Sequence, residues 1–380
     1  MKMRSSYLAE DVVLLLKDIT GLVQPQSTEE RERLIQSGRH YSEMLPIEYV
    51  PTEKYMKVYR EALDRYAKRM ADAVGVLSDK IMASRGRNVV LVSLARAGTP
   101  IGILIKRYIR LKYSEDVPHY SISIIRGRGI DDNAMKYLLD RYRPEHLLFV
   151  DGWIGKGAIL GELEKDMRAY PQVSPEIAVV ADPAGVTELC GTHEDILIPS
   201  SCLNSTVSGL VSRTFLRDDI IGEHDFHGAV YYEELKSQDL SYEFIEAIER
   251  HFNLGKIPED QGAGQEEETD GTGEAGELSG RAADNAAGVT EPEGKGIDEV
   301  RRIAAFFGIE DINFVKPGIG ETTRVLLRRV PWKVLIDERY RGDPELGHVV
   351  RLAEEKHVPV EYYPLAHYKC CGIIKKIADA

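Results

Sequence analysis

The chain has 380 residues, of which 43% are apolar, and a formal net charge of -13. This length favours two domains, with enough apolar side chains to bury a core in each. The sequence has no run of about 18 apolar residues and no apolar segment near its start, which argues against membrane insertion or secretion and favours the cytoplasm.

The first two thirds of the chain alternate between helical and strand patterns. Helices are predicted at 55–77, from the turn at 96–102 through 110, at 134–142 and at 156–170. Strands are predicted at 88–95, 119–125, 146–151 and 176–182. Strands that alternate with helices predict an α/β fold with a parallel sheet. Ligands of such sheets bind beyond the carboxyl ends of the strands, so the loops at those ends are candidate sites.

The loop DGWIGKGA at 151–158 follows one of these predicted strands and enters a helix. Consecutive N–H groups at such a glycine-rich turn form an anion cradle, so Gly155, Lys156 and Gly157 are predicted to bind a phosphate. Asp151, at the strand end, is predicted to accept hydrogen bonds from a sugar diol or to hold a hydrated Mg²⁺. A carboxylate beside a phosphate cradle is typical of a ribose 5-phosphate site.

Two further loops are predicted at the same edge. Arg96, Ala97 and Gly98 follow the strand at 88–95 and would bind another phosphate or a pyrophosphate. The loop RGRGIDDN at 126–133 supplies Arg126 and Arg128, which would stabilise a departing pyrophosphate.

The ordered pair of loops ARAG and DGWIGKGA resembles the type I phosphoribosyltransferases. The resemblance implies a phosphoribosyltransferase-like fold that binds phosphoribosyl pyrophosphate (PRPP) with Mg²⁺. It also implies transfer of phosphoribose to an unknown base or small acceptor with release of pyrophosphate. Gly152, Lys156 and Ile159 stand where that family carries an acid and two hydroxyls.

The segment LIPSSCLNSTVSGLVSRTFL at 197–216 gathers small polar residues before an apolar stretch. With the stretches at 39–46, 94–100 and 182–200, it resembles the StiP family of bacterial tellurite-resistance and stress gene clusters. That family has been described both as phosphoribosyltransferase-like and as cysteine-protease-like. An alternative hypothesis is therefore a cysteine peptidase that uses Cys202 with His193 or His40 as its base. Cys202 could equally be a buried thiol at a helix start.

The segment from 259 to 296 has eleven acidic residues, two basic ones and almost no large apolar side chains. Such a composition cannot recover its ordering entropy by burial, so a disordered acidic linker is predicted. The predicted organisation is a phosphoribosyltransferase-like domain at 1–255, the linker at 256–296 and a second domain at 297–380.

The second domain is predicted to be a small α/β/α sandwich, with helices at 298–308 and 345–357 and strands at 312–315, 333–338 and 359–364. Its run KPGIGETTRVLLRR at 316–329 resembles the Pelota-type and kink-turn-binding RNA-binding family. The resemblance implies binding of structured RNA, with neither DNA nor membrane as a partner. The residues that would carry it are Lys316, Gly318, Gly320, Glu321, Thr322 and Arg324.

The leading interpretation of the whole sequence is a cytoplasmic PRPP-dependent transferase of a stress pathway, coupled to an RNA-binding module. The cysteine peptidase is the alternative from another enzyme class. A third hypothesis is a sensor without catalysis, which binds a ribose phosphate and is linked to RNA.

Overall fold

The computed structural model describes residues 3–255 and 295–375, which form an N-terminal and a C-terminal unit. The predicted linker at 256–296 lies almost entirely outside the described residues. In chain order, the elements of the N-terminal unit are β1 (Val13–Leu14), β2 (Lys17–Asp18), α1 (Thr28–Gln36), α2 (Glu53–Arg85), β3 (Val90–Ala95), α3 (Gly98–Tyr113), β4 (His119–Ile125), β5 (Gly129–Ile130), α4 (Asp132–Leu139), β6 (Leu147–Trp153), α5 (Ala158–Asp166), β7 (Ile177–Ala181), β8 (Cys190–Thr192), β9 (Gly228–Ala229) and α6 (Ser241–Glu249).

The main sheet of this unit has the strand order β1-β4-β3-β6-β7-β8, and all neighbours along this path are parallel. The short β5 pairs antiparallel with β4, and β2 and β9 form a separate parallel pair. The prediction of an α/β fold with a parallel sheet is confirmed. The carboxyl ends of these six adjacent strands therefore meet at one edge.

The strands of the main sheet are apolar on both faces because helices cover both. In β3, Val90, Val92 and Leu94 pack in the cluster that includes side chains of α4 and α5, whereas Leu91 packs in the cluster of α2, α3 and α6. This alternation is the period of two that a strand imposes on its side chains. Burial of each such side chain stabilises the fold by about 1.5–3 kcal/mol.

Helix α2 is longer than the helix predicted at 55–77 and ends at Gly86, whose φ of 64° is strained for any residue with a Cβ. The last part of α2 is rich in polar residues, so the spacing of apolar residues does not predict it.

The elements of the C-terminal unit are α7 (Gly296–Phe306), β10 (Val315–Pro317), α8 (Ile319–Arg328), β11 (Pro331–Ile336), α9 (Gly347–Glu355), β12 (Val360–Tyr362) and β13 (Cys370–Ile374). Its sheet has the order β10-β13-β11-β12. The strand β13 is antiparallel to both of its neighbours and was not assigned from the sequence. Side chains of α7 pack in one cluster and those of α8 and α9 in another, which confirms the small α/β/α sandwich.

The two units share one hydrophobic core. A single buried cluster contains Val58, Tyr66 and Leu197 of the N-terminal unit together with Leu326 and Val349 of the C-terminal unit. The sandwich therefore packs through α8 and α9 on α2 and on the segment that follows β8.

Candidate functional site

The loop after β3 and the end of β6 meet at the carboxyl edge of the main sheet. β3 pairs in parallel with β6 up to Ser93 and Val150. Gly98 packs so closely on β6 that a Cβ there would lie 2.3 Å from Val150 O and 3.1 Å from Asp151 Cα. Only glycine fits this contact, which places Arg96 and Asp151 on neighbouring strand ends of one edge, as the sequence predicts.

Asp151 is a partly buried carboxylate at this edge. Its Oδ1 accepts a hydrogen bond of 2.8 Å from Gly152 N. Burial raises the pKa of Asp151 to about 7, although the Gly152 N–H and the charge of Arg324 act to lower it. The side chain therefore changes charge near neutral pH.

Lys156 points towards the C-terminal unit. Its Nζ donates to the carbonyl oxygens of Ile312, at 2.7 Å, and Val315, at 3.3 Å. Burial, followed by the charges of Lys316 and Arg126, lowers the pKa of Lys156 to about 8. The ammonium group of Lys156 is thus bound by backbone carbonyls of the other unit, and its contact with a phosphate stays a prediction.

The glycines beside Lys156 have different surroundings. Gly155 is covered by the C-terminal unit: its carbonyl oxygen accepts a 2.7 Å hydrogen bond from Tyr368, and a Cβ at this position would lie 3.7 Å from Glu321 Cγ. Gly157 has a left-handed φ of 83° and precedes the first turn of α5. The loop therefore turns into helix α5 as predicted. Its part around Gly155 lies in the contact between the units.

The three arginines predicted to bind pyrophosphate all have protein partners. Arg96 Nη1 donates to Val211 O at 2.8 Å and lies 3.3 Å from Glu48 Oε1. Arg126 Nη1 donates to Asn313 Oδ1 at 3.1 Å, and Arg128 forms an ion pair with Glu43. All three guanidinium groups thus have protein partners in this structure.

Cys202 lies in the shared core, where its side chain has no exposed surface. Burial raises the pKa of its thiol to about 12, although the charge of Arg328 acts to lower it. Within residues 3–255 and 295–375, neither candidate base is hydrogen-bonded to it. His40 contacts Ser42 Oγ and Arg126 O, and His193 contacts another cysteine. The predicted pairing of Cys202 with His193 or His40 is wrong, and the thiol is the buried one that the sequence also allowed.

The cysteine beside His193 is Cys190, the first residue of β8. Its Sγ lies 3.3 Å from His193 Nε2, and His193 Nδ1 lies 2.9 Å from Asp182 O. A carbonyl oxygen can only accept, so Nδ1 carries the proton and Nε2 has the free lone pair. Sγ is also 3.7 Å from Nδ1, so the sulfur lies over the face of the ring and not along that lone pair. Sequence reasoning missed this pair because it matched His193 with the wrong cysteine; the signal was a Cys and a His three residues apart across the end of a strand.

Asp182, directly after β7, completes the group. Its Oδ2 lies 3.9 Å from His193 Nδ1 and accepts hydrogen bonds from Val186 N and Thr187 N. Its Oδ1 is buried and has no hydrogen-bond partner among the residues that the structure describes. The thiol, imidazole and carboxylate are neighbours, and these are the group types that a cysteine nucleophile uses. Nδ1 is held by the backbone carbonyl of Asp182 and not by its carboxylate, which is 3.9 Å away. Burial raises the pKa of the Cys190 thiol, so the resting sulfur is protonated and needs the base.

The residues predicted to bind RNA cluster at the start of α8, but this end of the helix faces the N-terminal unit. Ile319 N donates to Asp195 Oδ1 at 3.0 Å, and a Cβ on Gly320 would lie 3.7 Å from Ser201 Oγ. Gly318, Gly320 and Thr322 are buried. Burial acts to raise the pKa of Glu321, but the charges of Arg324, Lys316 and Lys156 lower it. In this arrangement the predicted RNA-binding residues are part of the contact between the units.

Neither a metal-binding cluster nor a membrane-spanning helix is present among the described residues. Residues 3–255 and 295–375 hold no group of three or more His, Cys, Asp or Glu suited to a metal ion. None of the described helices has the length and apolar character needed to cross a bilayer.

Comparison with known families divides the chain in the same place as the structure. Residues 5–249 match the family described as "Tellurite-like stress resistance cysteine protease StiP", and residues 294–376 match the PELOTA RNA binding domain. A relative from Acinetobacter baylyi, named "Cysteine protease StiP", is 34% identical over 385 residues. The match covers 98% of this chain and 94% of that protein.

Two similar solved structures match only part of the chain. A hypoxanthine-guanine phosphoribosyltransferase from Bacillus anthracis is 16% identical, with a TM-score of 0.26, and the match covers 33% of this chain and 77% of that one. A xanthine-guanine-hypoxanthine phosphoribosyltransferase from Helicobacter pylori is also 16% identical, with a TM-score of 0.20 and coverage of 34% and 70%.

Proposed function

The chain belongs to the StiP family of cysteine proteases, and from this premise we propose that it is a cysteine peptidase whose nucleophile is Cys190 and whose general base is His193. The observation that carries the proposal is the 3.3 Å contact between Cys190 Sγ and His193 Nε2, with Nδ1 fixed by Asp182 O. This choice of nucleophile replaces Cys202, which lies in the core without a base.

In the proposed reaction, His193 Nε2 takes the thiol proton while Sγ attacks the carbonyl carbon of the peptide. The S–C bond forms as the carbonyl π electrons move to oxygen. That electron pair then reforms the carbonyl, the C–N bond breaks, and the imidazolium gives its proton to the departing amine. Water hydrolyses the resulting thioester with the same histidine as base. The carboxylate of Asp182, 3.9 Å from Nδ1, stabilises the imidazolium that forms in each half of the cycle.

The two proposed catalytic residues, Cys190 and His193, differ in their exposure to solvent. The His193 side chain is 56% exposed, whereas Cys190 is 1% exposed. A peptide therefore approaches from the side of His193, and its binding has to uncover the sulfur before the attack.

We expect a peptidyl vinyl sulfone to label Cys190 before any of the other three cysteines. All four are buried, but only Cys190 has an imidazole within 3.3 Å of its sulfur among the described residues. Peptide mapping by mass spectrometry at short reaction times would show the labelled position. If Cys202 were labelled first, the assignment of Cys190 as the nucleophile would be wrong. If no cysteine of the folded protein were labelled, the result would argue against a cysteine peptidase.

A second candidate function, PRPP binding, is supported by Arg96 and Asp151 on neighbouring strand ends. Asp151 would accept hydrogen bonds from the ribose diol or contribute one oxygen to Mg²⁺, whose other ligands would be water and the phosphates of PRPP. No residue at this edge identifies an acceptor base, so transfer of the phosphoribosyl group rests on the sequence resemblance.

Calorimetry with PRPP and Mg²⁺ at two pH values tests this second candidate. Because burial raises the pKa of Asp151 to about 7, its carboxylate is mostly protonated at pH 5.5 and mostly ionised at pH 8. Binding should therefore weaken by about tenfold or more from pH 8 to pH 5.5. Asp151→Asn should remove most of this difference. The absence of binding heat from the wild type at pH 8 would reject PRPP as a ligand.

A further inference from the structure

Four arginines from both units surround the small polar segment at 200–212. Arg328 of α8 donates to Leu203 O, and Arg96 donates to Val211 O at 2.8 Å. Arg213 belongs to the chain directly after this segment and donates to Tyr41 O at 2.6 Å. The fourth is Arg324, one turn before Arg328 in α8. We refer to Arg96, Arg213, Arg324 and Arg328 as the arginine cluster.

The arginine cluster has more positive charge than its carboxylate partners neutralise. Burial lowers the pKa of Arg328 to about 10, and the charges of Arg324 and Arg96 lower it further. Burial likewise lowers the pKa of Arg213 to about 10, with additional effects from other arginines including Arg96. The opposing carboxylates are Glu48, 3.3 Å from Arg96, and Glu321, 3.1 Å from Arg324. Among the described residues, these four guanidinium groups thus have two carboxylates at ion-pair distance, and the side chains are partly exposed, from 21% for Arg96 to 41% for Arg324.

Unused hydrogen-bond donors lie along the same segment. Ser201 Oγ, Ser205 Oγ and Arg213 Nε are buried and have no hydrogen-bond partner within the described parts of the chain. Ser205 is tied to the cluster because its backbone N donates to Glu48 Oε1 at 2.7 Å, the oxygen that Arg96 also contacts. A buried hydroxyl or N–H without a partner costs about 1–3 kcal/mol. The two hydroxyls and the Arg213 N–H can all donate a hydrogen bond, and one negatively charged acceptor would give all three a partner.

We propose that a small phosphate-bearing anion binds between the two units, held by the arginine cluster and by the hydroxyls of Ser201 and Ser205. A phosphate or diphosphate group offers several charged oxygens in one compact group and accepts paired hydrogen bonds from guanidinium groups. A single additional carboxylate would leave some of the donors unused. The site is independent of the Cys190 chemistry, and it does not require Asp151 to hold a ribose.

The contact between the units favours a small ligand over an RNA backbone. Arg328 is bonded to the N-terminal unit through Leu203 O, and Cys202, beside Ser201, has no exposed surface. An RNA strand would have to separate the units to reach these groups, whereas a small anion can join them. The proposal also explains the run of serines at 200–208, which the thiol chemistry does not use.

Calorimetry of the full chain with inorganic pyrophosphate and with inorganic phosphate tests the proposal. We expect the wild type to bind pyrophosphate more tightly than phosphate. Arg328→Met should weaken pyrophosphate binding by about tenfold or more, and Ser205→Ala by about threefold to tenfold. Arg351→Met is the matched control, because Arg351 also bridges the units, through Glu61, but lies outside the cluster; it should bind as the wild type does.

Three results would overturn the proposal. One is the absence of binding by the wild type at millimolar pyrophosphate, and another is equal weakening by Arg351→Met and Arg328→Met. The third is displacement of pyrophosphate by a structured RNA that binds more tightly than pyrophosphate and depends on the same arginines. Thermal unfolding without ligand checks that each variant is folded, and Arg213→Met replaces Arg328→Met if that variant fails this check.

Discussion

Cys190→Ala is expected to lower the rate of peptide hydrolysis by about a thousandfold or more, because within residues 3–255 and 295–375 Cys190 is the thiol with an imidazole in contact. Cys202→Ala should retain the wild-type rate within a few-fold. The two variants remove the same group from buried positions, so they are closely matched in the change they make. At pH 7, a thiol with a pKa of about 12 is ionised in only about one molecule in 10⁵, which makes Cys202 a poor nucleophile.

The measurement is the initial rate of hydrolysis of a fluorogenic peptide, with thermal unfolding to show that both variants are folded. His193→Gln keeps a polar side chain of similar length but cannot accept and return a proton in the same way, so its rate should fall almost as far as that of Cys190→Ala. Full activity in Cys190→Ala with loss in Cys202→Ala would reverse the assignment. Full activity in both would reject thiol catalysis by either residue.

Asp195→Ala is expected to lower the free energy of unfolding by roughly 2–5 kcal/mol and to loosen the contact between the two units. Asp195 is buried and binds the C-terminal unit with both oxygens: Oδ1 accepts from Ile319 N at 3.0 Å, and Oδ2 accepts from Lys369 N at 2.9 Å. Alanine would leave both N–H groups without a partner. Denaturant unfolding followed by tryptophan fluorescence measures the loss, since Trp153 lies close to Gly320 of α8.

The same residue gives the unfolding free energy a pH dependence. Burial raises the pKa of Asp195 from its ordinary value of 3.8 to about 6, against the two N–H groups that lower it. Between these values the folded protein binds more protons than the unfolded chain, so this group's contribution to stability declines as the pH rises from about 4 to about 6. Asp195→Ala should lack this part of the decline.

The control for this experiment is Asp72→Ala, which removes an exposed carboxylate on α2 that pairs with Lys68. It should change the unfolding free energy by less than about 1 kcal/mol and leave its pH dependence as in the wild type. If Asp195→Ala were as stable as Asp72→Ala, the hydrogen bonds from Ile319 N and Lys369 N to Asp195 would contribute nothing to the packing of the units.

The fold was predictable from the sequence because its evidence is local. The apolar run of β3 and the alternating pattern of β4 each specify a strand, and the helices between strands specify a parallel sheet. The strand β13 was missed because it lies in the segment HYKCCGIIKKIA, where cysteines and a glycine interrupt the apolar pattern. Its place in the centre of the sheet depends on pairing with β10 and β11 rather than on its own sequence.

The site was less predictable because its partners are distant in the chain. Nothing near Lys156 in the sequence indicates that the carbonyls of Ile312 and Val315 bind its ammonium group. In the same way, Asp195 and the start of α8 meet only through packing of the two units. The Cys190 and His193 pair is the exception: these residues are three apart, and a strand followed by a sharp turn is enough to bring them together.

The start of α8 contacts the N-terminal unit, so the N-terminal unit would compete with RNA for the predicted RNA-binding residues. The two units belong to one chain, so this competitor is tethered. An RNA that used Lys316 and Arg324 would have to displace Asp195 and Trp153 from the same chain, and a covalently connected competitor acts at an effective concentration that dilution does not change. Apparent affinity for RNA would therefore reflect the equilibrium between joined and separated units as much as the RNA contacts themselves. A small anion that stabilises the joined form would lower RNA affinity by the same factor by which RNA lowers anion affinity.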